Sequence, residues 1–78
     1  MITVLFFAGM REEVGLDELK IIETENMTIH QLKQCLQNKY ALSSFNQVMT
    51  AINESFVTDD ETIDDGDIIA FIPPVSGG

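Results

Sequence analysis

The chain has 78 residues, 45% of them hydrophobic and 22% charged, enough apolar material for one small folded domain and too little length for a second. A domain of this size buries only about 60% of its unfolded surface, which disfavours an enclosed substrate cavity and directs function to the surface, a terminus or a partner. Thirteen acidic against four basic residues give a formal net charge of −9, which excludes nucleic acid as a ligand and disfavours an anionic membrane surface; it suits a partner with a basic face or, equally, serves solubility alone.

In chain order, residues 2–7 are β-branched and aromatic and predict a strand, with Ile2, Val4 and Phe6 on one face and Thr3, Leu5 and Phe7 on the other. Both faces are largely apolar, the pattern of a central strand. Gly9 and Gly15 bracket a short helical turn over 10–14, and residues 19–23 read as a second strand whose polar flanks suit an edge. Residues 28–40 predict the main helix. Thr28 and Gln31 match a capping box, Ile29, Leu32 and Leu36 form one apolar stripe, and Lys33, Gln37 and Lys39 are expected to face water. After an irregular stretch over 43–47, residues 48–52 predict a third strand, Asn53-Glu54 a turn and 55–57 a fourth strand. The acidic segment 58–67 is turn-rich, Asp65-Gly66 being its strongest turn signal, and the fully apolar 68–72 reads as a strand in the middle of a sheet. Pro73-Pro74 stops that strand. If the first and last strands are both central, they lie side by side and parallel. The fold class is therefore α+β: a ubiquitin-like β-grasp, with one main helix across a mixed sheet over residues 1–74 and an extended tail over 75–78.

Cys35 is the only cysteine, so no internal disulfide forms and a reducing compartment is expected. The opening Met-Ile-Thr-Val lacks the basic region of a signal peptide, and the longest apolar runs fall far short of a membrane span. A cytoplasmic protein with no membrane partner is the expectation.

Catalytic constellations are scarce. His30 is the only histidine, expected to be an exposed residue in the first turn of the helix with no marked nucleophile beside it. Cys35 lies beside the apolar stripe and is expected to be an inert, partly buried thiol rather than a sulfur carrier. The acidic residues of 59–67 invite a calcium reading, but aligning Gly66 with the loop glycine puts Ile63 and Ile72 at ligand positions. A solvated loop is the better account. Zinc fails on ligand count, so no metal site is expected, and the glycines fit no phosphate-binding fingerprint.

The segment 72–78, Ile-Pro-Pro-Val-Ser-Gly-Gly, stands apart. Two prolines hold the chain extended beyond a buried strand, and the last four residues span about 13 Å at about 3.3 Å each. Gly77 and Gly78 have no side chains to obstruct a narrow channel. Such a tail offers a carboxylate, ionised above about pH 3.5, which is a nucleophile but a poor electrophile. Attack on the α-phosphate of ATP converts it to an acyl-adenylate, from which a sulfur donor displaces AMP to leave a thiocarboxylate.

These residues resemble the small, sulfur-carrying subunit of molybdopterin synthase, a ubiquitin-like family of molybdenum cofactor biosynthesis. The likeness covers essentially the whole chain. It rests on Val4-Leu5-Phe6-Phe7-Ala8 followed by Arg11-Glu12 and Gly15, on Ala51-Ile52-Asn53, and on Asp65-Gly66-Asp67 with the run from Ala70 to Gly78. The resemblance implies a subunit that is not itself catalytic and binds no cofactor. In the family an E1-like adenylyltransferase uses ATP to adenylate the terminal glycine, here Gly78, which is then sulfurated to a thiocarboxylate. The tail enters an active site of the large subunit, where sulfur passes to cyclic pyranopterin monophosphate to build the dithiolene, and the synthase is a heterotetramer of two large and two small subunits.

Phe7 and Phe56 are apolar residues on partly polar strand faces, the pattern of a docking patch. The resemblance adds Ile72 and a polar contact from Arg11, and Pro73, Pro74, Val75 and Ser76 as the part of the tail that the partner binds. Two other classes share the fold: a thiamine-pathway sulfur carrier, whose end typically lacks Pro-Pro-Val-Ser before Gly-Gly, and a non-covalent ubiquitin-like binding module.

Overall fold

The computed structural model describes residues 1–22, 26–40 and 47–72. It contains β1 (Ile2–Phe6), α1 (Ala8–Val14), β2 (Glu18–Ile21), α2 (Ile29–Tyr40), β3 (Met49–Ile52), β4 (Ser55–Val57) and β5 (Ile68–Ile72). The five strands form one sheet in the order β2-β1-β5-β3-β4. β1 and β5 run parallel in register Thr3 to Ile68 through Phe6 to Phe71, and the other neighbours are antiparallel. The parallel central pair and the edge position of β2 match the sequence expectation. This strand order with one main helix is the β-grasp.

The core lies on one face of the sheet. Ile2, Val4 and Phe6 of β1 and Ile69 and Phe71 of β5 meet Ile29, Leu32 and Leu36 of α2, with Met10, Val48 and Ile63 closing the sides. The Phe6 and Phe71 rings stack with centroids 6.5 Å apart. Thr50 is the one buried polar side chain among the described residues, and its hydroxyl has no hydrogen-bond partner there.

The start of α2 shows why the acidic segment is folded rather than merely solvated. A helix leaves its first amides without intrahelical acceptors. The Thr28 amide donates to Gln31 Oε1 at 3.0 Å and the Gln31 amide to Thr28 Oγ1 at 3.2 Å, which is the expected capping box. The two amides between them are satisfied from far along the chain: Ile29 donates to the Glu61 carbonyl and His30 to the Asp59 carbonyl, each at 3.0 Å. Lys33 reinforces the junction, its ammonium 2.8 Å from Asp59 Oδ1. Contrary to the expectation that it faces water, the Lys33 side chain is only 12% exposed.

Several boundaries also differ. The first strand ends at Phe6, because Phe7 precedes α1 as its N-cap, and α1 begins at Ala8 rather than residue 10. It closes at Gly15, whose φ of 82° suits glycine and whose amide donates to the Arg11 carbonyl at 2.9 Å. The second strand is Glu18–Ile21, one residue earlier at its start, and Glu23 lies outside the described residues. The third begins at Met49, with Val48 buried just ahead of it. The irregular stretch expected over 43–47 falls mostly outside the described residues.

The β3–β4 turn behaves as read. Asn53 and Glu54 both have positive φ, 49° and 73°, the backbone of a type I′ hairpin. Asn53 also ties the turn to the start of β5: its Nδ2 donates to Asp67 Oδ1 at 2.9 Å, and its Oδ1 accepts from the Ile68 amide at 3.0 Å.

Candidate functional site

Register decides what lies on the face opposite the core. Neighbours paired across strands share a face, and successive residues alternate. Because Phe6, Phe71 and Ile69 point into the core, Leu5, Ala70, Ala51 and Phe56 fall on the outer face, aligned in one row across β1, β5, β3 and β4. Ile72 and Met49 are partners on the same face at one end of that row, and Ile68 lies on it at the other. Phe7 follows β1 with a still extended backbone (φ −125°, ψ 155°), so the alternation carries it to this face beside Ile72.

The result is an apolar surface that no described helix covers. Phe56 is 66% exposed, Phe7 44%, and Met49 and Ile68 about half. Contiguous apolar surface of this kind marks an interaction site rather than a core. Three of the sequence candidates, Phe7, Phe56 and Ile72, are thus brought onto one face, although Phe7 belongs to the entry of α1 and not to the strand. Ile72 is half-buried, and is the residue from which the chain passes into 73–78.

Arg11 is exposed on α1, its Nε 3.5 Å from Asp17 Oδ1. A pair this exposed is exchangeable at little cost, so the guanidinium remains open to a partner. Pro73, Pro74, Val75, Ser76, Gly77 and Gly78 lie outside the described residues. Met49 and Ile68 were not anticipated. In β5 every residue is apolar, so period-two alternation gives no sign of which ones face outward, and Met49 becomes visible only through its pairing with Ile72.

The remaining candidates resolve plainly. His30 is exposed, as expected. Cys35 is exposed, which corrects the expectation of a partly buried thiol: α2 buries only Ile29, Leu32 and Leu36, and its stripe is too narrow to include position 35. Among the described residues no three of His, Cys, Asp and Glu converge as a metal-holding group. Asp59 and Glu61 serve α2 through their backbone carbonyls. Asp67 caps its own turn, its Oδ2 accepting from the Asp64 amide at 2.8 Å. Asp65 pairs with the Met1 ammonium, whose hydrogen bond and charge hold the carboxyl below its ordinary value of 3.8. Among the described residues no helix is long and apolar enough to cross a membrane.

Residues 4–78 match the ThiS family. Over the whole of both chains the protein is 38% identical to the molybdopterin synthase sulfur carrier subunit of Escherichia coli (strain K12). Among solved structures it superposes with a TM-score of 0.70 and 25% identity on a chain of the protein–protein complex of subunit 1 and 2 of molybdopterin-converting factor from Helicobacter pylori 26695, covering 99% of this chain and 97% of that one. SAMP1 from Haloferax volcanii shares the fold, with a TM-score of 0.81, 20% identity, and coverage of 99% and 98%. The chain therefore belongs to the ThiS family and to that of the molybdopterin synthase sulfur carrier subunits.

Proposed function

We propose that this chain carries sulfur on Gly78 for molybdopterin synthase. The observation that carries the reading is the coincidence of two features: the apolar face of Phe7, Met49, Phe56 and Ile72, and the place of Ile72 in the sequence immediately before Pro-Pro-Val-Ser-Gly-Gly. Docking through that face would fix the start of the tail, so that its far end enters the partner's site already oriented.

The chemistry divides between the chain and its partners. An E1-like adenylyltransferase supplies ATP. The Gly78 carboxylate oxygen attacks the α-phosphorus, a P–O bond forms, and pyrophosphate leaves. A sulfide-level donor then attacks the acyl carbon, AMP departs with the C–O bond pair, and a thiocarboxylate remains. In the large subunit its sulfur passes to cyclic pyranopterin monophosphate, and water returns the terminus to a carboxylate. The chain itself contributes docking, reach and a terminus without side chains; it binds no cofactor and catalyses none of these steps. Pro73, Pro74, Val75 and Ser76 span the distance, Gly77 and Gly78 occupy the channel, and Arg11 supplies a polar contact beside the face. The assembly is a heterotetramer of two large and two small subunits, formed in the cytoplasm. One surface serves the adenylyltransferase and the large subunit in turn.

The test is intact-protein mass spectrometry after incubation with ATP, sulfide and a candidate adenylyltransferase, followed by transfer to the large subunit and cyclic pyranopterin monophosphate. The expected result is a mass gain equal to one oxygen replaced by sulfur, lost again as the dithiolene forms. A gain that no large subunit discharges points to a thiamine-type acceptor. No gain with any adenylyltransferase favours a non-covalent binding module.

A further inference from the structure

We propose that the free edge of β2 pairs with the same edge of a second copy of this chain, antiparallel about a two-fold axis at Leu19, extending the sheet through a weak homodimer. β2 ends the strand order, with β1 on one side and no strand among the described residues on the other. The Phe6 amide donates to the Asp17 carbonyl at 2.9 Å. In an antiparallel ladder this assigns residues 17, 19 and 21 to bonding with β1, and turns the main-chain groups of Glu18 and Lys20 outward. Those are the groups a further strand would use.

The side chains then select the occupant. Around an axis at Leu19, Glu18 faces Lys20 of the second copy and Lys20 faces its Glu18, each pair exchanging reciprocal main-chain hydrogen bonds. One step further out, Leu16 faces Ile22. These two are exposed apolar residues, at 41% and 79%, with no role in the core. Moving the axis to residue 18 sets Glu18 against Glu18, and moving it to residue 20 sets Lys20 against Lys20. Opposite charges directly across strands stabilise a pair and like charges destabilise it, so one register is favoured and its neighbours are opposed. Within one copy Lys20 Nζ already lies 3.9 Å from Glu18 Oε2. Pairing would complete an alternating set of four charges. Charged residues on an edge ordinarily repel foreign strands; here their order makes the edge complementary to itself.

The contact is small. Four strand residues bury well below the ~1,200 Å² of a standard interface, so association belongs in the roughly millimolar range. The net charge of −9 on each copy opposes it, and added salt screens that repulsion. A two-fold axis normal to the sheet leaves the outer faces of both copies on one side, and Phe56 lies at the far edge, so docking surfaces stay open.

The experiment is a dilution series of the full chain by sedimentation equilibrium and amide NMR, from micromolar to millimolar. Concentration-dependent shifts are expected at residues 16–22, with slowed exchange of the Glu18 and Lys20 amides. E18K and K20E should each raise the dimer dissociation constant by about tenfold or more, since both pairs become like-charged. E18K is the discriminating variant: it takes the 13 acidic and 4 basic residues to 12 and 5, changing the net charge from −9 to −7. Bulk repulsion alone would then tighten the dimer. Mixing E18K with K20E, or combining both changes in one chain, should restore association. A monomer at every concentration, shifts confined to 55–57, a tighter E18K dimer, or no recovery on mixing would each overturn the proposal.

Discussion

Truncating Phe56 to alanine separates docking from folding. Phe56 is 66% exposed on the short edge strand β4, opposite Ala51. Full burial of a phenylalanine side chain contributes about 1.5–3 kcal/mol, so the third of it withdrawn from water contributes about 0.5–1 kcal/mol. At about 4–8 °C per kcal/mol for a domain of this size, Phe56→Ala should lower Tm by about 2–8 °C. An aromatic anchor at the centre of an interface costs about 2 kcal/mol or more on truncation, which weakens binding about 30-fold. The contrast with Phe71 sharpens the test. Phe71 is fully buried in the core, and Phe71→Ala should cost about 3–5 kcal/mol of stability. Urea unfolding gives one quantity, and calorimetric titration with the large subunit the other. A stability loss above about 2 kcal/mol for Phe56→Ala, or a Kd within about threefold of the parent chain, would refute the assignment of Phe56 to a docking face.

Further outcomes are specific. Thr50→Val removes a buried hydroxyl that has no partner among the described residues while keeping the side chain's shape, so the unfolding free energy from denaturant titration should rise by about 1–2 kcal/mol; a loss would mean that the hydroxyl is bonded. Glu54→Gly relieves a left-handed backbone costing about 1–2 kcal/mol, offset by about 0.5–1 kcal/mol of glycine entropy, for a net gain of about 0.5–1 kcal/mol in thermal unfolding. A destabilised variant would show that Glu54 makes compensating contacts. The Asp65 carboxyl is held low by the Met1 ammonium, so its stabilising contribution is present above the ordinary carboxylate value of 3.8 and is lost as pH falls through the lowered pKa. An NMR titration should find its midpoint below 3.8 at low ionic strength and nearer that value in molar salt. A midpoint at or above the ordinary value would remove the ion pair from the account.

Much of this architecture was legible because local signals agreed with one another. The Thr28–Gln31 box, the Ile29, Leu32 and Leu36 stripe and the apolar 68–72 run each had one sensible interpretation, and the parallel pairing of β1 with β5 followed from two central strands. Long-range placement was not legible. Nothing in the sequence around Asp59 and Glu61 announces that their carbonyls cap a helix thirty residues earlier, so the segment read as solvent-facing and Lys33 as free. The aromatic pair continues the strand pattern through Phe7, whereas the helix that takes over begins at Ala8 and is obscured by Gly9, a poor helix former, at its second position. The exposed apolar face is half visible in the sequence. Phe7 and Phe56 stood out against polar neighbours, whereas Met49 and Ile68 sit in apolar strands whose outward members emerge only once the register is fixed.

The strand order has a consequence for how the molecule is made. β2-β1 and β3-β4 are two separate hairpin-like halves, and the strand that joins them, β5, follows all four in the chain. Until residue 72 has been synthesised, β1 lacks its parallel neighbour and the halves share no hydrogen-bonded seam, so contacts of long sequence separation form together and late. The same strand supplies Ile68, Ala70 and Ile72 to the outer surface. The apolar outer row and the hydrogen-bonded seam are thus completed by one and the same strand, so a sheet without β5 lacks both.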